Sequence, residues 1–196
     1  MKIKSATFLK SSTSFEQFPD FNYPEFAFFG RSNVGKSSLL NMLVNKKDLV
    51  KTGSRPGVTT MINFFIINNN TSFVDMPGFG YAKLPAPIRK KFMPLIREYI
   101  EKRTNLKAAF LLIDIRRTPG DYEEEILSLL TNKKIPVAIT ITKADKLSKN
   151  QRGKRLKAIE DALGISSDSI FITSASTGEG KQSILNIIND LCQNGS

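Results

Sequence analysis

The run Gly30-Arg31-Ser32-Asn33-Val34-Gly35-Lys36-Ser37, followed by Ser38, has the spacing G-x-x-x-x-G-K-[ST]. Glycines so spaced let backbone N–H groups close around phosphate oxygens at a helix N-terminus. Lys36 is placed to reach β- and γ-phosphates, and the Ser37 hydroxyl to ligate Mg²⁺. Asp75-Met76-Pro77-Gly78 supplies a second element. Asp75 would hold the same ion through water, and the Gly78 N–H would face the γ-phosphate. Between the two lies 51–61, rich in Gly, Ser and Thr, a composition suited to a segment that orders around a γ-phosphate. Within it Gly57, Val58, Thr59, Thr60 and Met61 are expected nucleotide contacts. Thr59 is the candidate for a second Mg²⁺ hydroxyl ligand, with Thr60 its competitor. Lys36, Ser37, Thr59 and Gly78 form the expected catalytic set.

A third element concerns the base. In Thr142-Lys143-Ala144-Asp145, a carboxylate can accept from guanine's N1–H and exocyclic amine together, a donor pair that adenine lacks. The aliphatic stem of Lys143 can lie over the base. Thr173-Ser174-Ala175-Ser176 can offer backbone N–H groups to the guanine carbonyl. These two stretches point to GTP rather than ATP.

Such residues need a frame that brings strand ends together. Strands are expected at 26–30, 62–67, 72–75, 108–114, 137–142 and 169–173. Helices are expected at 36–45, 86–103, 121–130, 151–163 and 181–191, with Pro94 kinking or splitting the second. Asn68-Asn69-Asn70 between two strands predicts a hairpin. The alternation predicts an α/β, three-layer P-loop NTPase sandwich with helices on both faces. Its mostly parallel sheet has six strands, seven if the N-terminal extension adds one, including one antiparallel edge strand. Residues 1–24 are that extension, part of the domain, and 25–196 the nucleotide-binding domain proper. Ligands on such sheets bind at the carboxyl ends of strands, where all the motifs fall.

Twenty-nine Lys+Arg against 18 Asp+Glu give a net charge of +11, which favours polyanionic partners such as RNA. With no His and one Cys, a zinc site is excluded. The single Cys192 allows no internal disulfide and suits a reducing compartment. Residues 1–10 have no apolar run of secretory type, and no apolar stretch approaches membrane-spanning length. A cytoplasmic, membrane-free, monomeric protein is expected.

Taken together the motifs resemble those of the EngB family (YihA/YsxC), within the TrmE-Era-EngA-EngB-Septin-like P-loop GTPases. The resemblance runs through Gly30 to Ser38, then Arg55-Pro56-Gly57-Val58-Thr59 and Ile62-Asn63-Phe64-Phe65 as a first switch. Asp75 to Ala82 matches a second switch, and Asp114-Ile115-Arg116-Arg117-Thr118-Pro119 and the Thr142 motif complete it. It implies a single GTPase domain that binds GTP and GDP, uses Mg²⁺, and helps the large ribosomal subunit or its precursor mature. It also implies an association with cell division and septation. The family supports Thr59 as the Mg²⁺ ligand. Thr142 stands where many GTPases carry Asn, and is expected to cost one contact to the base.

Phe79 follows Gly78, where Ras-type enzymes place a water-orienting Gln, so slow intrinsic hydrolysis is expected. Asn33 resembles the asparagine with which related GTPases hold K⁺, which makes it the candidate K⁺ ligand. Arg31 and Arg116-Arg117 are further catalytic candidates, with the pair read as surface or ribosome-contact residues. The basic faces Arg89-Lys90-Lys91 with Arg97, and 146–157, are the candidate rRNA contacts. A GTP-timed assembly factor is the leading reading. A basic RNA-binding chaperone with structural nucleotide is the alternative, and a metabolic kinase has no use for Asp145.

Overall fold

A computed structural model describes residues 1–50, 61–78 and 86–193, apart from the side chains of 86–92. In chain order the elements are β1 (Ala6–Ser12), β2 (Glu25–Gly30), α1 (Lys36–Val44), β3 (Ile62–Ile67), β4 (Thr71–Asp75) and α2 (Ala86–Lys102). There follow β5 (Leu106–Asp114), α3 (Asp121–Asn132), β6 (Val137–Thr142), α4 (Lys149–Leu163), β7 (Ile170–Ile172) and α5 (Lys181–Gln193).

The strands form one sheet in the order β1-β3-β4-β2-β5-β6-β7. Five of them, β4, β2, β5, β6 and β7, run parallel, and β3 runs against both β4 and β1. The N-terminal extension does supply the seventh strand, so β1 covers the outer side of β3 and the antiparallel strand lies one in from the edge. Every residue of β2 and β4 is buried, the pattern of strands covered on both faces. On one face, α1 and α5 pack Leu39, Leu40, Leu43, Ile184 and Ile188 against Phe26, Phe28 and Phe110. On the other, α2, α3 and α4 bring Ile96, Tyr99, Ile126, Leu130 and Ile159 against Phe64, Leu111 and Ile139. Those two apolar layers supply the driving force for the fold, at about 25 cal/mol per Å² of apolar area removed from water.

Local signals explain the joints. The β3–β4 hairpin turns through Asn68 and Asn69, both with left-handed φ (51° and 60°), a backbone region that asparagine tolerates. The Asn68 side chain then fastens the N-terminal segment, accepting from the Lys4 and Ser5 N–H groups at 2.7 and 3.1 Å and donating to the Lys2 carbonyl at 2.8 Å. Helix α4 starts two residues earlier than its periodicity suggests because Ser148 and Gln151 form a capping pair, with the Ser148 N–H donating to Gln151 Oε1 at 3.0 Å.

Of the kink or split expected at Pro94, the split does not occur: α2 runs through it as one helix. The missing N–H costs a bond, but burial of Leu95, Ile96, Tyr99 and Ile100 holds the second half in place. A polar clamp adds to this at the end of the sheet away from the motifs. Glu25, fully buried, accepts from Tyr99 Oη at 2.9 Å and from Arg103 Nε and Nη2 at 2.8 and 2.7 Å. A buried carboxylate so fully paired is tolerated where an unpaired one would not be.

Candidate nucleotide-binding site

The motif residues meet at the carboxyl ends of β2, β4, β6 and β7. The loop from Gly30 to Lys36 is shaped by two glycines. A Cβ on Gly30 would lie 2.9 Å from Val34 Cγ1 and 3.0 Å from Leu112 Cβ. Gly35 has φ +107° and directly precedes α1, so its backbone is open only to glycine at low cost. Lys36 and Ser37 therefore open a helix whose first N–H groups have no intrahelical acceptor and suit an anion.

The ammonium of Lys36 forms an ion pair with Asp75 Oδ1, and both side chains are about nine-tenths buried. Asn63 Nδ2 approaches the other carboxylate oxygen at 3.4 Å. Backbone pairing places this aspartate: β4 runs parallel beside β2, and the Met76 N–H extends the ladder to the Phe28 carbonyl. Beyond it Gly78 lies against the phosphate loop, where a Cβ would come within 3.3 Å of Ser32 N and Cα. Phosphate loop and Asp75–Gly78 turn are thus in direct contact.

The side expected to read the base is equally connected. The Thr142 hydroxyl donates to the Val34 carbonyl at 2.6 Å and to the Ile113 carbonyl at 3.3 Å. The Thr142 hydroxyl, expected to cost one contact to the base, is thereby committed to the loop before α1 and to β5. Lys143, at φ 58°, donates to the Asn33 carbonyl at 2.5 Å and lies 3.1 Å from Asp114 Oδ2. Asp114 is gripped by Arg116 as well, through Nε to Oδ1 at 2.9 Å and Nη2 to Oδ2 at 2.7 Å. Burial alone would raise the Asp114 pKa, but the bonds from Arg116 and Lys143 outweigh it and hold the carboxyl well below the usual range.

Asp145 accepts from the Ser174 hydroxyl at 2.7 Å, and this bond, aided by Lys146, lowers its pKa. An ionised carboxylate is the form that accepts from two guanine N–H donors. The Ser174–Ser176 turn is fixed from below: Ser174 N–H donates to the Glu179 carbonyl at 3.1 Å, and Gly178 N–H to the Ser174 carbonyl at 2.9 Å. Gly180, at φ +77°, lets that turn close, since a Cβ there would sit 2.2 Å from the Ile172 carbonyl oxygen. Ala175 and Ser176 are exposed beside Asp145, Thr173 is buried beneath them, and Ala144 N–H donates to the Thr173 carbonyl at 3.1 Å.

Arg31 points away from any role as a free finger. Its guanidinium bonds Glu123 at 2.7 Å, and Glu123 also accepts the Gly120 N–H at 3.0 Å at the start of α3. Sequence reasoning missed this tie between phosphate loop and α3; the helix-start position of Glu123, three residues after Gly120, was the available signal. Gly57, Val58, Thr59, Thr60 and Phe79 lie outside the described residues, as do the side chains of Arg89, Lys90 and Lys91.

No group of three or more His, Cys, Asp or Glu side chains able to hold a metal occurs among the described residues. Mg²⁺ does not need one. It keeps several waters and takes phosphate oxygens, with one or two hard oxygen ligands from the protein. The Ser37 hydroxyl and the Asp75 carboxylate are ligands of that chemistry, so the residues present fit the ion.

Residues 25–143 match the family described as 50S ribosome-binding GTPase. A probable GTP-binding protein EngB of Syntrophotalea carbinolica is 48% identical over 185 residues, covering 94% of this chain and 89% of that protein. Its counterpart in Desulfatibacillum aliphaticivorans is 46% identical over 193 residues, 98% and 94% of the two chains. A crystal structure of a probable GTP-binding protein EngB superposes with a TM-score of 0.72 at 26% identity, covering 87% of this chain and 99% of that one. Era of Aquifex aeolicus bound to GDP and AlF4⁻ shares the fold, with a TM-score of 0.62 at 22% identity over 86% of this chain and 56% of that one.

Proposed function

The chain belongs to the EngB family of 50S ribosome-binding GTPases, and on that premise we propose that it is a Mg²⁺-dependent GTP switch in assembly of the large ribosomal subunit. One observation carries the reading. The ammonium of Lys36 and the carboxylate of Asp75, the groups that would meet phosphate and metal, converge at the ends of parallel strands, and the loop before Lys36 is tied by Thr142 to the strand that would read guanine.

Lys36 would give its ammonium to the β- and γ-phosphates, and the Gly78 N–H would donate to a γ-phosphate oxygen. Ser37 and Thr59 would hold Mg²⁺ through hydroxyls and Asp75 through water, and the ion would supply charge neutralisation at the phosphates when bound. Asp145 selects guanine, and Lys143, anchored at Asn33 and Asp114, lays its stem along the base. With Phe79 after Gly78 the chain has no side chain there to orient water, so intrinsic hydrolysis is slow. Completion would come from the ribosomal partner, and Asn33 is the residue that would hold a K⁺ ion supplying charge near the phosphates.

The partner is the large subunit or its precursor, met through rRNA. The family description and the net charge of +11 support this. Of the basic faces, 146–157 keeps Lys146, Lys149 and Lys154 exposed. Arg152 and Arg155 are already committed, to Glu179 at 2.9 Å and to the Ile115 carbonyl at 3.0 Å. The protein would act as a cytoplasmic monomer, and the tie to cell division and septation is part of the same proposal. Among the described residues no helix is long and apolar enough to cross a membrane.

Calorimetric titration with GTP, GDP and ATP in Mg²⁺, with phosphate release measured alongside, tests the nucleotide half. GTP and GDP should bind at least roughly 100-fold tighter than ATP, as expected when a selector carboxylate is left without its donor pair. Equal affinity for ATP would contradict it.

A further inference from the structure

Large hydrophobic side chains are exposed at only two places among the described residues, and they are neighbours: Phe8 at 52% and Leu9 at 43%. Both lie on β1, the outermost strand, whose free edge proteins ordinarily blunt with charge or polar groups. Pairing with β3 shifts register between Phe8 and Lys10, so Leu9 sits in a bulge. The Phe8 ring is not loose. It leans on buried Phe65 edge-on, with centroids 5.6 Å apart and planes at 65°, while half of its surface meets solvent.

Positive charge gathers on the same edge of the sheet. Lys2 and Lys4 are exposed, on a segment pinned by three hydrogen bonds to the Asn68 side chain. Lys46 and Lys47 are exposed in the turn after α1, and Lys46 Nζ reaches the Ala6 carbonyl at 2.5 Å, which brings that turn onto β1. Lys10 continues the strand. Across residues 1–15 and 45–50, Asp48 is the one acidic side chain. The β1 edge thus combines a supported, half-exposed aromatic ring with lysines on the segments that pack onto the same strand.

We propose that the β1 edge docks unpaired RNA, with a base stacked on Phe8 and phosphates met by Lys2, Lys4, Lys46 and Lys47. The chemistry favours RNA over a protein partner. A stable protein interface needs about 800 Å² per side with an apolar centre, whereas a stacked base needs one ring face and a charged track for its backbone. The inference rests on RNA being the partner in the ribosomal reading above, and it assigns a surface separate from 146–157.

The chain has no tryptophan, so Phe8→Trp introduces a single indole whose emission reports stacking directly. Titration of that variant with a short mixed-sequence single-stranded RNA should quench the emission. Phe8→Ser should weaken RNA affinity roughly 5- to 100-fold. Removing Lys2 and Lys4 together should flatten the salt dependence by roughly 0.7 in log–log slope for each lysine. Unchanged GTP affinity in all three variants checks that they fold.

Unaltered RNA affinity in Phe8→Ser with no quenching in Phe8→Trp overturns this inference. If the wild-type chain still sediments with large subunits, the ribosomal reading survives that result. An indole emission that shifts to the blue with protein concentration alone, RNA absent, would mean edge-to-edge pairing of two copies and would also overturn it. Failure of the wild-type chain to bind both RNA and subunits would overturn inference and reading together.

Discussion

The Thr142 hydroxyl donates to the Val34 carbonyl at 2.6 Å, fastening the end of β6, the proposed base-reading strand, to the glycine-rich loop before α1, the proposed phosphate site. Thr142 is buried, so a valine of the same shape would leave the Val34 carbonyl without this donor. Thr142→Val should destabilise the domain by about 1–2 kcal/mol and weaken GTP and GDP alike by roughly 5- to 30-fold. Selectivity against ATP should not change, because Asp145 is untouched, and Thr142→Ser should restore affinity. Calorimetry with the three nucleotides and a melting curve measure all of this.

Asp145 is the proposed carrier of selectivity for guanine. Asparagine in its place offers one donor and one acceptor, which suits xanthine, whose second carbonyl stands where guanine has its amine. Asp145→Asn should lose roughly 10- to 100-fold in GTP affinity and gain in XTP affinity. Ser174→Ala, which removes the bond that holds the carboxylate at 2.7 Å, should show a smaller loss in the same direction. An Asp145→Asn variant that still prefers GTP would remove Asp145 from the selector role.

Asp114 gives a pH signature. Its folded pKa lies below the ordinary value of 3.8, through Arg116 and Lys143 working against burial. A group depressed on folding contributes stability that is fully present above the unfolded pKa and is lost as pH falls toward the folded one. Asp114→Asn should therefore lower stability by about 2 kcal/mol near neutrality. The gap between variant and wild type should narrow below about pH 4. Melting temperatures of both proteins from pH 7 downward test this; a gap constant with pH would contradict it.

The ion proposed at Asn33 makes a kinetic prediction. GTP turnover in KCl should exceed that in NaCl at equal ionic strength, and Asn33→Ala should abolish the difference while retaining GDP binding. Equal rates in the two salts for the wild-type chain would refute the K⁺ site.

Much of the fold could be read from residue order alone, for identifiable reasons. The runs 26–30, 62–67, 108–114 and 137–142 are apolar without interruption or rich in β-branched and aromatic residues, and all became strands. The motifs at their ends needed no tertiary information, because spacing within one strand–loop–helix unit already defines the phosphate loop. β1 was harder. Thr7, Phe8 and Leu9 are all exposed, which destroys the alternation that marks a half-buried strand. Its pairing with β3 is visible only once the hairpin and Asn68 are in place. Glu25, left outside the strand expected at 26–30, is a fully buried anchor within it, because Arg103, 78 positions away, neutralises it. Arg31 resembled a catalytic finger because its partner Glu123 is 92 residues distant. Long-range ion pairs leave no periodic trace in a sequence.

Co-sedimentation with large ribosomal subunits, comparing a non-hydrolysable GTP analogue with GDP over a salt series, tests the central claim most directly. The account predicts retention with the GTP analogue and release with GDP, with affinity falling steeply as salt rises. Equal retention in both nucleotide states would contradict the switch and leave a passive RNA-binding role, and no retention at low salt would remove the ribosome as partner.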